Sequence, residues 1–155
     1  MNDHQQPSTP SLRTLALNRL ARREHSREEL RRTLTEKLDA DGAEMDAVLD
    51  QLEAEGLLSD ARFAEAFTAA HVRRGQGPVR IRSELRERGI ADELIQATFS
   101  AMAVDWAELA RKIARQRFGT SAPTRGAALA KQMRFLRYRG FTGEETNFAL
   151  RHNED

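Results

Sequence analysis

Cysteine is absent from the 155-residue chain, so disulfides and thiolate chemistry are excluded, which suits a reducing cytoplasm. Aromatic residues are scarce, with seven Phe, one Trp and one Tyr, so core material is lean. No run approaches the roughly 18 apolar residues that a membrane-spanning helix needs, so no membrane partner is expected. Alternating apolar and polar residues never persist over the length of a strand, which argues against a sheet. The N-terminal MNDHQQPSTP has neither the basic nor the apolar region of a secretory signal, and residues 1–10 are expected to be a disordered leader.

Catalytic constellations are equally thin. The histidines are His4, His25, His71 and His152, and no two of them stand three or four residues apart as ligands on one helix would. Gly75-Gln-Gly77 is too short for a phosphate-cradling loop and runs into Pro78. Nothing resembles a nucleophile elbow. Glu28-Glu29, Glu84, Glu87 and Glu144-Glu145 read as helix-surface and capping residues. No enzymatic activity, cofactor or metal is therefore expected.

One further absence is local. Between Glu108 and Glu144 there is no acidic residue, while nine basic ones occur there: Arg111, Lys112, Arg115, Arg117, Arg125, Lys131, Arg134, Arg137 and Arg139. The near-neutral total of +1 hides this: residues 1–60 sum to −5, residues 61–104 to +2 and residues 105–155 to +4. Solvated helix surfaces normally mix signs, so a block of one sign points to an anionic partner. Arg73-Arg74 and Arg80, Arg82, Arg86 and Arg88 extend a weaker basic track upstream, partly neutralised by Glu84 and Glu87.

What the chain does contain is a repeat. LRERGIADELIQATF, residues 85–99, aligns with LRYRGFTGEETNFAL, residues 136–150, and Leu38, Gly42, Ala43, Val48 and Leu52 form a fainter earlier copy. A unit recurring about every 45–50 residues is the mark of a modular array. Modules of that size sit near the lower limit for folding alone, so neighbours should pack on one another.

Helix signals fill each copy. Ser11 can cap a first helix with Leu12, Leu15, Ala16 and Leu20 inward. Ser26-Arg-Glu-Glu29 is a capping box that opens a helix carrying Leu30, Leu34 and Leu38. Asp41 starts a third helix through Met45, Val48, Leu49 and Leu52, which Gly56 ends. Asp60 is read as the N-cap of a helix bearing Phe63, Ala64, Phe67 and Ala70. Pro78 sits well at a first helical position, with Ile81 and Leu85 inward, and Leu94, Ile95 and Phe99 form the next inner face. Asp105 starts a helix running past Leu109 and Ile113 to Gly119. Thr124 is read as capping a helix with Leu129, Met133 and Leu136 inward, and Thr142 opens a last helix with Phe148. Gly89-Ile90 and Gly140-Phe141 are read as helix stops with a hydrophobe folding back; Phe63, Phe67, Trp106 and Phe118 are read as core. The expected fold is all-α: three tandem three-helix units at 11–58, 59–104 and 105–155, in an elongated, curved array of roughly 60 Å if its helices are about 20 Å long.

Three segments carry a family resemblance. Ala21-Arg-Arg-Glu-His-Ser26-Arg-Glu-Glu-Leu30, Leu57-Leu-Ser-Asp60-Ala-Arg-Phe63-Ala64 and Gly77-Pro78-Val-Arg-Ile81-Arg-Ser-Glu-Leu85-Arg-Glu-Arg-Gly89-Ile90 together resemble the RecX family, over about residues 12–150. The resemblance implies three tandem three-helix units and a cytoplasmic regulatory protein that binds the recombinase RecA and its filament on single-stranded DNA. It also implies negative modulation of ATP hydrolysis, strand exchange and co-protease action, without chemistry of its own. The alternative read from the basic block alone is a helical module that binds nucleic acid directly. Direct binding is expected to be weak and sequence-independent, because the first unit is acidic, and the resting state is expected to be a monomer. The candidate contact residues are Arg73, Arg74, Arg80, Arg82, Arg111, Lys112, Arg115, Lys131, Arg134, Arg137 and Arg139.

Overall fold

The computed structural model describes residues 10–120 and 125–151. Among them there are nine α-helices and no strand. The expected leader falls almost wholly outside the described residues, as do Thr124, His4 and His152. The chain divides into two compact units, residues 1–63 and 64–155.

In the first unit, α1 (Leu12–Leu20), α2 (Arg27–Lys37) and α3 (Gly42–Ala54) begin where polar side chains satisfy orphan N–H groups. Ser11 Oγ accepts from Thr14 N at 3.1 Å, and Ser26 Oγ from Glu29 N at 3.0 Å. Asp41 does the same for Ala43 N at 3.4 Å. Leu12, Ala16, Leu30, Leu34, Met45, Leu49, Leu52 and Leu58 share one buried core. Each such leucine contributes roughly 1.5–3 kcal/mol by leaving water.

The next helix, α4 (Asp60–Arg73), corrects one expectation. Its cap is Ser59, whose Oγ accepts from Arg62 N at 3.1 Å, not Asp60. Asp60 lies one residue inside the helix, and its Oδ1 accepts from Arg27 N at 2.8 Å. It thus satisfies an orphan donor in the first turn of α2, where a carboxylate also meets the positive end of that helix.

The second unit continues with α5 (Pro78–Glu87), α6 (Asp92–Met102), α7 (Trp106–Phe118), α8 (Gly126–Tyr138) and α9 (Gly143–Arg151). Ile81, Leu85, Ile90 and Ile95 are buried. Gly89, at φ +79, ends the α5 segment, and Ile90 N then donates to Leu85 O at 3.1 Å, the fold-back expected of the repeat. Gly140 and Phe141 repeat this, with Phe141 N donating to Leu136 O at 3.1 Å. Thr142 and Glu145 form a reciprocal capping box: Thr142 N donates to Glu145 Oε1 at 2.9 Å and Glu145 N to Thr142 Oγ1 at 3.2 Å. Ala110, Ala114, Leu136, Phe141 and Ala149 make the core of α7, α8 and α9.

Two inward expectations shift. Met133 is 36% exposed, because Gln132 and Leu136, four residues apart, form the buried line of α8 and turn Met133 away. Phe63 is buried, but Phe67, Trp106 and Phe118 are only half-buried. They sit in small aromatic clusters instead: Phe67 stacks on His71 at 3.8 Å, Trp106 tilts against Phe99 at 5.1 Å, and Phe118 meets Phe135 edge-on at 5.2 Å.

Candidate partner-binding surface

Glycine brings the two basic stretches of the second unit together. Gly77 N donates to Arg139 O at 2.8 Å and Val79 N to Gly140 O at 2.9 Å, so the turn before α5 pairs with the turn after α8. The approach excludes side chains. A Cβ on Gly77 would lie 2.4 Å from Gly140 C, and one on Gly140 would lie 2.4 Å from Arg80 Cβ. Gly140 is thus more than a helix stop. Arg139 completes the joint by donating from Nη1 to Arg74 O at 2.9 Å. Arg74 and Arg80 from the upstream track consequently meet the Arg139-Gly140 turn of the downstream block.

The eleven candidate cations then separate by what holds them. The Arg139 guanidinium is committed to the Arg74 carbonyl and lies 5.1 Å over the Phe135 ring. Arg111 pairs with Glu108 at 3.1 Å, and Arg80 with Glu84 at 3.5 Å. Arg82 lies 5.4 Å over Phe99, on the wall of a groove of about 700 Å³ that Val79, Arg86 and Trp106 also line. Arg115 is exposed and makes a further contact of its own. Arg73, Arg74, Lys112, Lys131, Arg134 and Arg137 are exposed. Among the described residues, no carboxylate pairs with Lys131, Arg134 or Arg137.

The first unit shows the opposite pattern. Arg27 reaches Asp50 at 2.7 Å and Glu53 at 3.1 Å, and Arg31 pairs with Asp46. Arg13 holds Glu55 at 2.6 Å, and Arg62 holds Glu24 at 3.0 Å. Hydrogen bonds from Arg31 and from Arg13 pull the Asp46 and Glu55 carboxyls below their ordinary values. Burial would lower Arg27, but its hydrogen bonds to Asp50 and Glu53 prevail and raise it. The acids of the first unit are therefore largely answered within it, while the cations of α8 face solvent unanswered.

One residue on that face escaped the sequence reading. Tyr138 is 79% exposed, the highest value among the exposed large hydrophobic residues. It is two residues past Leu136, so it points almost directly away from the core. The only sequence signal was its place in the run Arg137-Tyr138-Arg139, an aromatic between cations. Among the described residues, no group of three or more His, Cys, Asp or Glu could hold a metal, and no helix is long and apolar enough to cross a membrane.

Comparison with known proteins covers nearly all of the chain. A family model described as the second three-helix domain of RecX matches residues 59–98, and one described as the third matches residues 104–150. A regulatory protein RecX from Halorhodospira halophila is 42% identical over 92% of this chain and 88% of its own length. One from Pseudomonas savastanoi pv. phaseolicola is 40% identical over 84% of each. The crystal structure of RecX from Lactobacillus salivarius superposes with a TM-score of 0.78 at 20% identity, over 92% of this chain and 94% of that one, a likeness of fold.

Proposed function

The chain belongs to the RecX family, and on that premise we propose that it binds RecA and RecA filaments on single-stranded DNA and restrains their activity. The regulation works by binding alone, with no chemistry by this chain. The observation that carries the reading is the likeness to regulatory RecX proteins along nearly the full chain. The division of charge supports it: a unit whose acids are largely paired within it is followed, in α8, by Lys131, Arg134 and Arg137, which are exposed and have no carboxylate partner among the described residues. The three-unit division at 11–58, 59–104 and 105–155 belongs to the same proposal.

Titrating the protein into RecA on single-stranded DNA, below equal stoichiometry, should depress ATP hydrolysis. Unchanged rates across a full titration would overturn the proposal. Reversing both Arg134 and Arg137 to Glu should weaken filament binding while helicity is retained. The unpaired cations of α8 favour a second reading, a module acting directly on nucleic acid, for which inhibition would persist only where bare DNA is bound tightly.

A further inference from the structure

We propose that the exposed face of α8 is a binding site for single-stranded nucleic acid, in which Tyr138 stacks on an unpaired base and Lys131 and Arg134 hold the adjoining phosphates. The inference rests on the reading of these cations as an anion-facing surface, not on any contact with RecA.

Helix geometry sets the layout. Lys131, Arg134 and Tyr138 stand three and four residues apart, so they form one stripe about 10 Å long at 1.5 Å per residue. The stripe lies opposite the buried line of Gln132 and Leu136. Phe135, one helical turn from Lys131, has Arg117 and Arg139 at 5.9 Å and 5.1 Å from its ring centre. The whole helix carries no acidic residue.

Two observations select the ligand. First, the cations Lys131 and Arg134 lack ion-pair partners among the described residues, which calls for a ligand of repeated negative charge. Second, Tyr138 presents an open ring, and an aromatic ring beside cations offers a π-face that carboxylates do not use but bases do. Duplex DNA keeps its bases stacked inside, so it would meet the cations but leave Tyr138 idle. The face therefore favours single strands. It offers no fixed fork of donors and acceptors for base edges, so it should tolerate sequence.

The test uses the full chain and fluorescence anisotropy with a labelled thymidine oligonucleotide, an abasic oligomer of equal length and a duplex. Loss of base stacking corresponds to roughly five- to a hundredfold in affinity. Tyr138→Ala should weaken thymidine-oligomer binding by that factor with an unchanged salt slope. Tyr138→Phe should bind like the parent. Binding of the duplex and of the abasic oligomer should not respond to Tyr138→Ala. Arg134→Gln should lower the single-strand salt slope by about 0.7. An affinity for the thymidine oligomer that ignores Tyr138→Ala, or an equal loss on the abasic oligomer, would overturn the proposal. So would binding of polyglutamate as tight as that of the oligonucleotide, which would make the face a general acceptor of acidic protein. The RecA ATPase titration is read separately: inhibition that survives Tyr138→Ala leaves the regulatory reading intact whatever the oligonucleotide shows.

Discussion

Adding one methyl group at Gly77 should damage the second unit more than most surface changes could. Gly77 has φ −88 and ψ 171, a conformation alanine adopts freely, so backbone strain plays no part. Space does. The new Cβ would lie 2.4 Å from Gly140 C and 2.5 Å from both Gly140 O and Phe141 N. Ordinary contact begins about 1 Å farther out, and the neighbours are backbone atoms that cannot swing aside. Either the turns stay pressed together, at the roughly 1–3 kcal/mol typical of overpacking, or they separate. Separation lengthens the bonds from Gly77 N to Arg139 O and from Val79 N to Gly140 O, each contributing about 0.5–1.5 kcal/mol. The smaller entropy of an unfolded chain with alanine returns about 0.4–1 kcal/mol. The net expectation is a loss of about 1–3 kcal/mol. Urea unfolding followed by the fluorescence of Trp106, the only tryptophan and a residue of this unit, measures it. Gly42→Ala, in the first unit and followed by helical circular dichroism, is the control, since nothing lies within 4 Å of a Cβ there and alanine should be neutral or slightly stabilising. A Gly77→Ala midpoint equal to the parent's would refute the backbone contact between the two turns.

Asp60→Ala should cost the first unit about 1–2 kcal/mol, because it orphans Arg27 N at the start of α2, and Asp60→Asn should recover much of that in a thermal melt. Ala103 holds φ +48, alone among the described non-glycine residues with positive φ, so Ala103→Gly should stabilise by up to about 1 kcal/mol in urea titration. Burial holds His25 below its ordinary 6.5, while its bond to Arg23 O only partly offsets this. The unfolded chain then takes up the proton at higher pH than the folded one, so stability falls as pH drops through 6.5 towards the lowered folded value. His25→Gln should flatten that segment of the pH–stability curve, leaving the later loss at acid pH, where the paired Asp46 and Glu55 carboxyls protonate.

Local chemistry was legible in the sequence because its partners are local. Ser11, Ser26, Asp41, Asp105 and Thr142 each bond an N–H two or three residues ahead, and α1, α2, α3, α7 and α9 start where they stand. Asp60 misled because an acid beside Ser59 suits a helix start either way, whereas its actual partner, Arg27 N, is 33 residues distant. Gly77 and Gly140 read correctly as breaks, yet nothing along the chain says that two breaks touch. Met133 and Tyr138 depend on the rotation of α8, which Gln132 and Leu136 fix through contacts elsewhere in the fold. The candidate site was visible as composition, an acid-free block, but not as geometry. Sequence spacing placed Arg111 and Arg139 with Lys131 and Arg134, whereas the structure gives the first pair to Glu108 and to the Arg74 carbonyl.

The contrast between the ends of the chain bears on why the block exists. Exposed ion pairs contribute only about 0–1 kcal/mol each, so stability alone scarcely explains pairing in one unit and its avoidance in another. Lys131 and Arg134, and Arg134 and Arg137, are three residues apart on one helix, inside the roughly 8 Å over which physiological salt leaves charges interacting. Their repulsion opposes folding, and nothing among the described residues offsets it. A polyanion laid along α8 would convert that repulsion into attraction, with release of its counterions. The same arrangement therefore predicts opposite salt effects on two equilibria: rising salt should modestly favour folding of the second unit while it weakens capture of an anionic partner. A solvated surface with no partner would show only the first.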